Sequence, residues 1–528
     1  MVELHDNLKQ GWSREKVSHY LFLFGIFLLA GSLAWSKMLM SNAQIILLVS
    51  WLISGNLKYK LKAFVKNRAA LVLSSVFLMH AIGLSYTIDF SYGMEDVRKK
   101  IPLLLMPLIF STMPPLPKLI FERLLSFFVF SIVAATFVCT CVLLGFTHRQ
   151  IIFPQQASIF ISHVRFGLLI SLSVFIMVYF FKEKKNRILR SGMVAVIIWL
   201  IVFLIMMESM TGLVCIGVVS AVLILYAVFR IAKTSVRISL IGIITLACVL
   251  AVIFIFKGNG EEKNIEKKSI KLATKNGAPY FTDTASKEFE NGYAVWQNVC
   301  ENELKSEWNK KSKIDYNGID LNGNGIKYTL IRFLASKGLA KDSEAVNGLS
   351  EKEIKAIEKG IPNVNYMGVF NPTARIHKII WEFALYMKGG NPSGHSVIQR
   401  FEFWKASIGI IKENFLLGVG TGDVEMAFKD EYEKINSPLT QEYRLRSHNQ
   451  FLAMGVAFGL VGMFWFLFSL FYPIVREKKF SDYFYMVFFI IAFLSMFTED
   501  TLETQAGVTF FAFFNSLFLF LRKKRVTF

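Results

Sequence analysis

Residues 446–462 read RSHNQFLAMGVAFGLVG, a short polar head that leads directly into an apolar run. The run continues to about residue 473, long enough to cross the hydrocarbon core of a bilayer as a helix. Similar runs recur along the chain, and 54% of its 528 residues are hydrophobic, with 51 Phe among them. A soluble domain cannot bury that much apolar surface, so the sequence predicts a polytopic membrane protein.

About twelve apolar runs are present, most of them close to the length of a membrane-spanning helix. They cover residues 20–37, 41–56, 69–86, 101–114, 120–146, 164–182, 191–208, 211–230, 237–257, 449–473, 481–498 and 506–522. The runs 41–56 and 101–114 are short, and the second contains Pro102 and Pro107. The predicted fold class is an all-α polytopic membrane protein with about 12 transmembrane helices.

Basic residues alternate between the two sides of the predicted membrane. Loops on one side, such as KYKLKAFVKNR, KEKKNR and REKK, are basic, whereas MESMTG and TEDTLETQ on the other side are neutral or acidic. Because cytosolic loops are enriched in Lys and Arg, we expect both termini in the cytosol. The segment MEDVRKK is an exception, since Arg98, Lys99 and Lys100 fall on the outer side, where they either have a function or snorkel.

One long hydrophilic segment falls on the outer side. We expect transmembrane helices 1–9 in residues 1–257, a large and mainly helical outer loop in residues 258–447, and helices 10–12 in residues 448–528. Amphipathic helices in this loop either pack on each other or lie on the lipid surface. The last of them carries an apolar face made of Val397, Phe401, Trp404, Ile408 and Ile411.

No motif in the chain predicts a metal ion or a cofactor. The stretch DYNGIDLNGNG imitates the start of a calcium loop with Asp320 and Asn322, but its twelfth position is Ile331, so the bidentate carboxylate ligand is missing. The net charge of +20 is explained by the cytosolic loops, so no nucleic-acid partner is expected.

The polar head of residues 446–462 is the first candidate site. His448 would lie where its helix enters the outer leaflet, flanked by Arg446 and Asn449. Gly455 and Gly459 form a GxxxG pattern, which lets helices approach closely and would hold this helix firmly against a neighbour. The alternative is an interfacial histidine without a role.

Two arginines stand at further helix ends or faces on the same side. Arg165 follows His163 at the outer end of a predicted helix, and Arg400 shares a helical face with Trp404. Each arginine either snorkels to the interface or holds a phosphate at the level of the lipid headgroups.

Two other polar stretches leave alternatives open. In LLGVGTGD, Gly418 and Gly420 belong either to a backbone turn or to a phosphate-binding nest. In FTEDTLETQAG, Glu499, Asp500 and Glu503 could bind a divalent ion or orient a hydroxyl, but a solvated acidic loop is the simpler interpretation.

A site built from arginine and histidine, without carboxylates that bind a metal ion, is suited to transferring a group whose leaving group is a diphosphate. The planar guanidinium matches phosphate geometry and stays charged when partly desolvated. Histidine is mostly neutral near pH 7 and can accept a proton from an acceptor group.

These pieces resemble the O-antigen ligase and polymerase family of bacterial polytopic membrane proteins. Three segments carry the resemblance: SHNQFLAMGVAFGLVG, RFEFWKASIGIIKENFLLGVGTGD and HVRFGLLISL. The layout, with one large outer loop ahead of the His-bearing helix, is similar too, and the implied architecture is GT-C-like. One departure is Phe415, where the family often has proline.

The resemblance implies a metal-independent, inverting glycosyltransferase that needs no cofactor. It would move a glycan from undecaprenyl diphosphate to an acceptor hydroxyl at the periplasmic face of the bacterial inner membrane. His448 corresponds to the general base, and Arg165 and Arg400 to the diphosphate-binding arginines. The supporting residues are expected to be Arg446 and Asn449, by adjacency, with His163, Trp404, Gly418 and Gly420.

The acceptor stays open at this point. An O-antigen ligase with lipid A–core as acceptor is the first hypothesis, and an O-antigen polymerase or a protein O-glycan ligase is the nearest alternative. A lipid-linked glycan transporter is a different class, but such a protein typically shows ionisable residues in mid-helix and internal repeats. A membrane-anchored binding protein would not need twelve helices.

Overall fold

The computed structural model describes most of the chain. The described residues are 13–147, 149, 151, 153–230, 270–286, 288–367, 380–383, 386–387 and 389–522. They form two compact units, one within residues 1–147, 157–230 and 399–528 and the other within residues 148–156 and 231–398. Residues 399–447, which the sequence assigned to the outer loop, therefore group with the first unit.

The first unit is helical throughout its described residues, apart from its turns. Its helices are α1 (Arg14–Ser32), α2 (Lys37–Ile53), α3 (Leu57–Lys66), α4 (Arg68–Gly83), α5 (Phe90–Lys100), α6 (Pro102–Thr112), α7 (Lys118–Leu143), α8 (His163–Glu183), α9 (Arg187–Met206) and α10 (Met210–Arg230). After the second unit follow α15 (Ile398–Glu413), α16 (Val424–Lys434), α17 (Gln450–Arg476), α18 (Tyr483–Thr498) and α19 (Gln505–Phe520). The mainly helical class is confirmed.

Six helices in the described part of the chain are long and apolar enough to cross a membrane. They are Arg68–Tyr86, Lys118–Leu143, His163–Glu183, Arg187–Met206, Met210–Phe229 and Gln450–Arg476. A seventh span results if α2 and α3, which meet at a bend of 112°, are counted as one. The predicted number of about twelve is not confirmed, and the run 237–257 lies outside the described residues.

Several apolar runs form helices too short for an ordinary span. The run 101–114 becomes α6 of 11 residues, which at ~1.5 Å per residue is about 16 Å, half the hydrocarbon core. Pro102 takes the first position of α6, where its missing N–H costs nothing. The run therefore begins a new helix after α5 instead of continuing it. α18 and α19 have 16 residues each.

The apolar face predicted for α15 is only partly buried, since Trp404 and Ile411 pack against the core and the rest of the face does not. Phe401 and Ile408 are 41% and 45% exposed, whereas Phe403, Ala406 and Ile410 are almost fully buried. The sequence left open whether the apolar side of this helix packs against protein or lies on the lipid surface. A helix at a membrane can turn that side outward to lipid, so the lipid-surface alternative is the one the exposure favours.

The second unit has its own small hydrophobic core. Its helices are α11 (Glu301–Lys311), α12 (Ile326–Ser336), α13 (Ser343–Asn347) and α14 (Glu351–Glu358), and its hairpin pairs β1 (Phe289–Glu290) with β2 (Tyr293–Ala294). Trp308 and Phe333 are fully buried in this core. The calcium-like stretch is a turn: the Asp320 carboxylate accepts hydrogen bonds from the Asn322 and Asn324 amides and from the Thr329 hydroxyl.

α17 is interrupted at the glycine pattern that predicted close helix packing. Gly459 has φ +63° and ψ −164°, which is not a helical conformation. The groups freed by the break pair with the segment that joins α15 to α16: Leu460 N–H donates to the Phe415 carbonyl at 2.9 Å, and Gly420 N–H donates to the Ala457 carbonyl at 2.9 Å. Because lipid offers no partner for such groups, this pairing is what permits a break at membrane depth.

Gly459→Ala is expected to destabilise the protein by at least about 1–3 kcal/mol, because the new methyl group overlaps the backbone. A Cβ at this position would collide with the carbonyl of Leu416, and the positive φ adds strain. Thermal unfolding of the purified protein in detergent measures the loss. Gly217→Ala on α10 is the matched control, since its Cβ meets nothing within 4 Å. Equal melting temperatures for the two variants would contradict the role of the break.

Candidate active site

His448 precedes Asn449, the cap of α17, and has a backbone conformation that residues other than glycine seldom adopt. Its φ is +44°, in the left-handed region where histidine is enriched relative to most residues. The next residue, Asn449, caps the helix by accepting hydrogen bonds from the Phe451 and Leu452 amides at 3.0 and 3.1 Å. Its Nδ2 also donates to the Phe497 carbonyl. The cap fixes the chain next to His448, so the backbone helps to direct the imidazole.

Glu499 follows the last residue of α18 and joins two of the predicted site residues. Its Oε1 accepts a hydrogen bond from Arg400 Nη2 at 3.0 Å, and its Oε2 lies 3.6 Å from His448 Nδ1. The Glu499 amide donates to the Ser495 carbonyl, which ties the residue to the end of α18. Phe403 on α15 packs its ring against the imidazole with centroids 5.5 Å apart. Three elements therefore converge on one carboxylate.

Arg165, the third predicted residue, lies in the first turn of α8. Its Nε is buried and has no hydrogen-bond partner among the described residues. The side chain lines a small, mainly apolar cavity with Ile161, Leu168 and Phe510. Leaving a buried N–H unpaired costs about 1–3 kcal/mol, so this guanidinium is suited to a ligand that accepts hydrogen bonds.

The charges around Glu499 favour its ionised form. Burial alone would raise the pKa of the Glu499 carboxyl, because the charged form loses its solvation. The neighbouring His448, Arg400 and Arg165 outweigh burial and hold that pKa below its usual range. Ionised Glu499 thus faces three potential cations.

His448 is shifted in the opposite sense. Burial disfavours its charged form, but the carboxylates of Glu499 and Asp500 outweigh burial and raise the His448 pKa above 6.5, while Arg400 acts against them. Burial also raises the pKa of Asp500 itself. A histidine that acts as a base must be neutral, so activity that depends on it should increase as the pH rises through this raised pKa.

Glu503 is the centre of a second ion network. Lys100 Nζ lies 2.8 Å from Glu503 Oε2 and 2.8 Å from an Asp96 oxygen. Arg446 Nη1 lies 3.5 Å from the same Glu503 oxygen. The Gln450 side chain donates a hydrogen bond to Glu503 Oε1 at 3.2 Å and accepts one from the backbone amide of Leu502. The network links α5, the residues ahead of α17 and the turn between α18 and α19.

This network bears on two pairs of alternatives that the sequence left open. The Lys100 side chain is 0% exposed, so it does not snorkel, and the Glu503 side chain is 11% exposed, so the acidic turn is not simply solvated. The basic segment MEDVRKK and the acidic turn are far apart in the sequence. Each makes physical sense once the opposite charges are paired, because burial of an ion requires a partner.

His448, Glu499 and Asp500 also bring three potential metal donors within 4.8 Å of one another. One imidazole and two carboxylates have the donor chemistry for a divalent cation. Glu499, however, already pairs with Arg400, and a second positive charge at the same carboxylate would be repelled by that guanidinium.

The glycine turn after α15 packs against the rest of the first unit. Gly418 and Gly420 have φ of +68° and +89°, which glycine adopts without strain. The consecutive amides of residues 418–422 donate to the Asn414, Val456, Ala457 and Gly83 carbonyls and to the Thr87 hydroxyl. Because these amides have intramolecular acceptors, the turn interpretation holds and the nest that would cradle a phosphate is not offered.

The remaining predicted residues have different surroundings. Asn449 is the cap of α17, and Arg446 belongs to the Glu503 network with its guanidinium over the Tyr92 ring. His163 is the first residue of α8. Trp404 is partly buried, and its Nε1 has no partner within the described structure. Among these four residues, Trp404 resembles Arg165 in presenting a buried donor without a partner in the described part of the chain.

The sequence did not assign Glu499, Glu503 or Lys100 to the site. The signal that could have found them is the orientation itself, since all three fall on the same predicted side as His448 and carry complementary charges. Sequence gives no distances, so complementarity of this kind cannot by itself be distinguished from chance.

Comparison with known proteins agrees with the resemblance. Residues 363–467 match a family model described as O-antigen ligase, and this range includes α15, the glycine turn, His448 and the broken part of α17. No curated protein matches the chain. Together with the apolar helices, the match indicates a multi-pass membrane enzyme of the ligase type. The resemblance drawn from the sequence is thus confirmed, and the chain carries an O-antigen ligase family segment.

Proposed function

We propose that the chain is a glycosyltransferase of the O-antigen ligase type. It transfers a glycan from an undecaprenyl-diphosphate-linked donor to an acceptor hydroxyl, with lipid A–core as the acceptor, at the periplasmic face of the bacterial inner membrane. His448 is the general base, Arg165 and Arg400 hold the diphosphate, and no metal ion takes part.

The observation that carries this proposal is the convergence of Arg400 and His448 on Glu499, at 3.0 and 3.6 Å. A guanidinium and an imidazole held by one carboxylate can face a leaving diphosphate and an attacking hydroxyl at the same time. Arg165, with its unpaired Nε, supplies a second donor for phosphate oxygens.

The proposed chemistry assigns one task to each group. The acceptor hydroxyl gives its proton to the His448 nitrogen that faces away from Glu499, and its oxygen attacks the anomeric carbon of the donor sugar. The bond between that carbon and the diphosphate oxygen breaks, and its electron pair stays on the diphosphate. The arginines stabilise the charge that develops there, and attack opposite to the leaving group inverts the anomeric centre.

The break in α17 does not favour the transporter alternative. Discontinuous helices in transporters offer unpaired backbone groups to the substrate or to a coupling ion. The Val456 and Ala457 carbonyls instead accept from Val419 and Gly420, and the Leu460 amide donates to Phe415. Those backbone groups are occupied within the protein.

The proposal is tested by deleting the gene in its native host and resolving the lipopolysaccharide by electrophoresis. Loss of every O-antigen-capped band, restored by the wild-type gene, supports ligase activity. Retention of bands with a single repeat unit indicates a polymerase, and an unchanged pattern with loss of protein glycosylation indicates a protein O-glycan ligase. Transfer by the purified enzyme should persist in EDTA; loss of transfer that Mg²⁺ restores would contradict the metal-independent mechanism.

Arg165→Ala is expected to lower transfer by about 10²–10³-fold, as loss of one donor to a developing anion does. Arg165→Lys should recover only part of the activity, because an ammonium group cannot present two coplanar donors. Arg187→Lys is the control, since Arg187 is an exposed residue at the start of α9. Wild-type transfer by both Arg165→Ala and Arg400→Ala would place the diphosphate site elsewhere.

A further inference from the structure

Glu499 stands between the group proposed to hold the donor and the group proposed to activate the acceptor. It uses one oxygen for each: Oε1 for Arg400 and Oε2 for His448. The carboxylate is largely buried, with 15% of the side chain exposed, and its backbone is tied to the end of α18. Neither contact is explained by helix packing alone, since the three residues lie on three different elements.

Building on the proposed function, we propose that Glu499 is a positioning residue that couples donor binding to activation of the acceptor. In the donor-free site it neutralises Arg400 and holds the Nδ1 side of His448, which leaves Nε2 for the acceptor hydroxyl. When the donor diphosphate binds, it competes for the Arg400 guanidinium. The negative charge of Glu499 is then neutralised less by Arg400, so Glu499 interacts more strongly with His448.

The geometry allows this exchange. The Arg400 guanidinium has five N–H donors, and the only hydrogen bond described for it uses Nη2. The 3.6 Å between His448 Nδ1 and Glu499 Oε2 is slightly longer than a hydrogen bond. Contacts of this kind are often long in ligand-free enzymes and shorten when substrate binds. A shift of a few tenths of an ångström is enough to form the bond.

The surrounding charges favour the same direction of coupling. Glu499 and Asp500 stabilise protonated His448, whereas Arg400 destabilises it. The charge of Arg165 lowers the pKa of Glu499. For Asp500, the charge of Glu503 raises the pKa and that of Arg446 lowers it. Diphosphate bound to the arginines would neutralise the charges that oppose protonation of His448. Donor binding therefore makes His448 a stronger proton acceptor, so the base is strengthened only when there is a donor to react with.

Glu499→Gln tests the coupling because glutamine keeps the shape of the side chain and removes its charge. We expect kcat to fall at least about tenfold, less than the 10²–10⁴-fold contribution of the general base itself, while KM for the donor does not rise. Loss of the anion destabilises protonated His448, so the acid limb of the kcat/KM profile moves to lower pH. A merely structural role would reduce the amount of folded enzyme and leave that limb in place.

Two further variants keep the result interpretable. Glu499→Asp restores the charge, so the acid limb should return toward the wild-type position even where the shorter side chain recovers little kcat. Glu425→Gln, at an exposed glutamate in the first turn of α16, should leave all parameters unchanged. Melting temperatures in detergent show whether each variant is folded.

The outcomes separate the inference from the proposed function. Wild-type enzyme that transfers glycan, together with Glu499→Gln of unchanged kcat and unchanged acid limb, overturns the coupling and leaves the function standing. Wild-type enzyme that transfers no glycan from a diphosphate-linked donor overturns the function itself, whatever the variants show.

Discussion

His448→Ala is expected to lower glycan transfer by on the order of 10²–10⁴-fold, the contribution of a general base. The residual rate comes from the arginines and from substrate binding, which alanine at this position does not remove. Purified enzyme with a lipid-linked donor and an acceptor glycan measures the change. KM for the donor should stay close to that of the wild type, because Arg165 and Arg400 remain.

The loss must be separated from misfolding. His448 has a positive φ, so the alanine variant carries some backbone strain, and its expression and melting temperature in detergent need to be compared with the wild type. His19→Ala, at an exposed histidine of α1, is the matched control and should leave transfer unchanged. Wild-type transfer by a folded His448→Ala enzyme removes the base assignment.

His448 and Arg165 stand out in the sequence because each interrupts a strong apolar pattern, but the roles proposed for them and for Arg400 come from the resemblance to the O-antigen ligase family. A histidine or an arginine at the mouth of an apolar run is conspicuous against its surroundings, and the predicted orientation placed His448, Arg165 and Arg400 on one side. The convergence of Arg400 and His448 on Glu499 could not be predicted. Arg165 precedes His448 by hundreds of residues, and nothing in the periodicity of α8, α15 and α17 states which helix ends meet.

The glycine pattern of α17 shows a different limit. Gly455 and Gly459 correctly indicated close approach, but the helical rule behind that inference implies an intact helix as the partner. In the structure Gly459 is not helical and its neighbours pair with the turn that joins α15 to α16. The same GxxxG spacing occurs in a helix that packs closely and in a helix that breaks. The break can be recognised only from the structure, where its hydrogen-bond partners are seen.

The break also explains why the site can be well ordered. The same segment that pairs with α17 follows directly on α15, which carries Arg400, and its Asp423 carboxylate accepts from the Ile88 and Asp89 amides. Arg400 and His448 therefore sit on elements that share backbone hydrogen bonds. A guanidinium and an imidazole on two independent helices would need side-chain packing alone to keep their separation.

Lys100→Met is expected to destabilise the protein by about 3–5 kcal/mol, because it leaves the buried Asp96 carboxylate without a cation and Glu503 with only the more distant Arg446. The lysine is 0% exposed and lies 2.8 Å from both Asp96 and Glu503. Methionine fills a similar volume, so the loss reports the charge and not a cavity. Thermal unfolding in detergent measures it, and transfer should fall as well because Glu503 also holds Arg446 and Gln450.

Lys99→Met, at the neighbouring residue, is the matched control for Lys100→Met. Lys99 pairs with Glu95 four residues earlier, as Lys100 does with Asp96, but the two side chains of the exposed pair are 35% and 67% accessible. Exposed pairs contribute roughly 0–1 kcal/mol, so this variant should melt close to the wild type. The double variant Lys100→Met/Glu503→Gln should lose less stability than the two single losses added together, since each single change already removes the Lys100–Glu503 pair, although Asp96 stays without its cation. If Lys100→Met and Lys99→Met have the same melting temperature, the buried network does not stabilise the turn that carries Glu499.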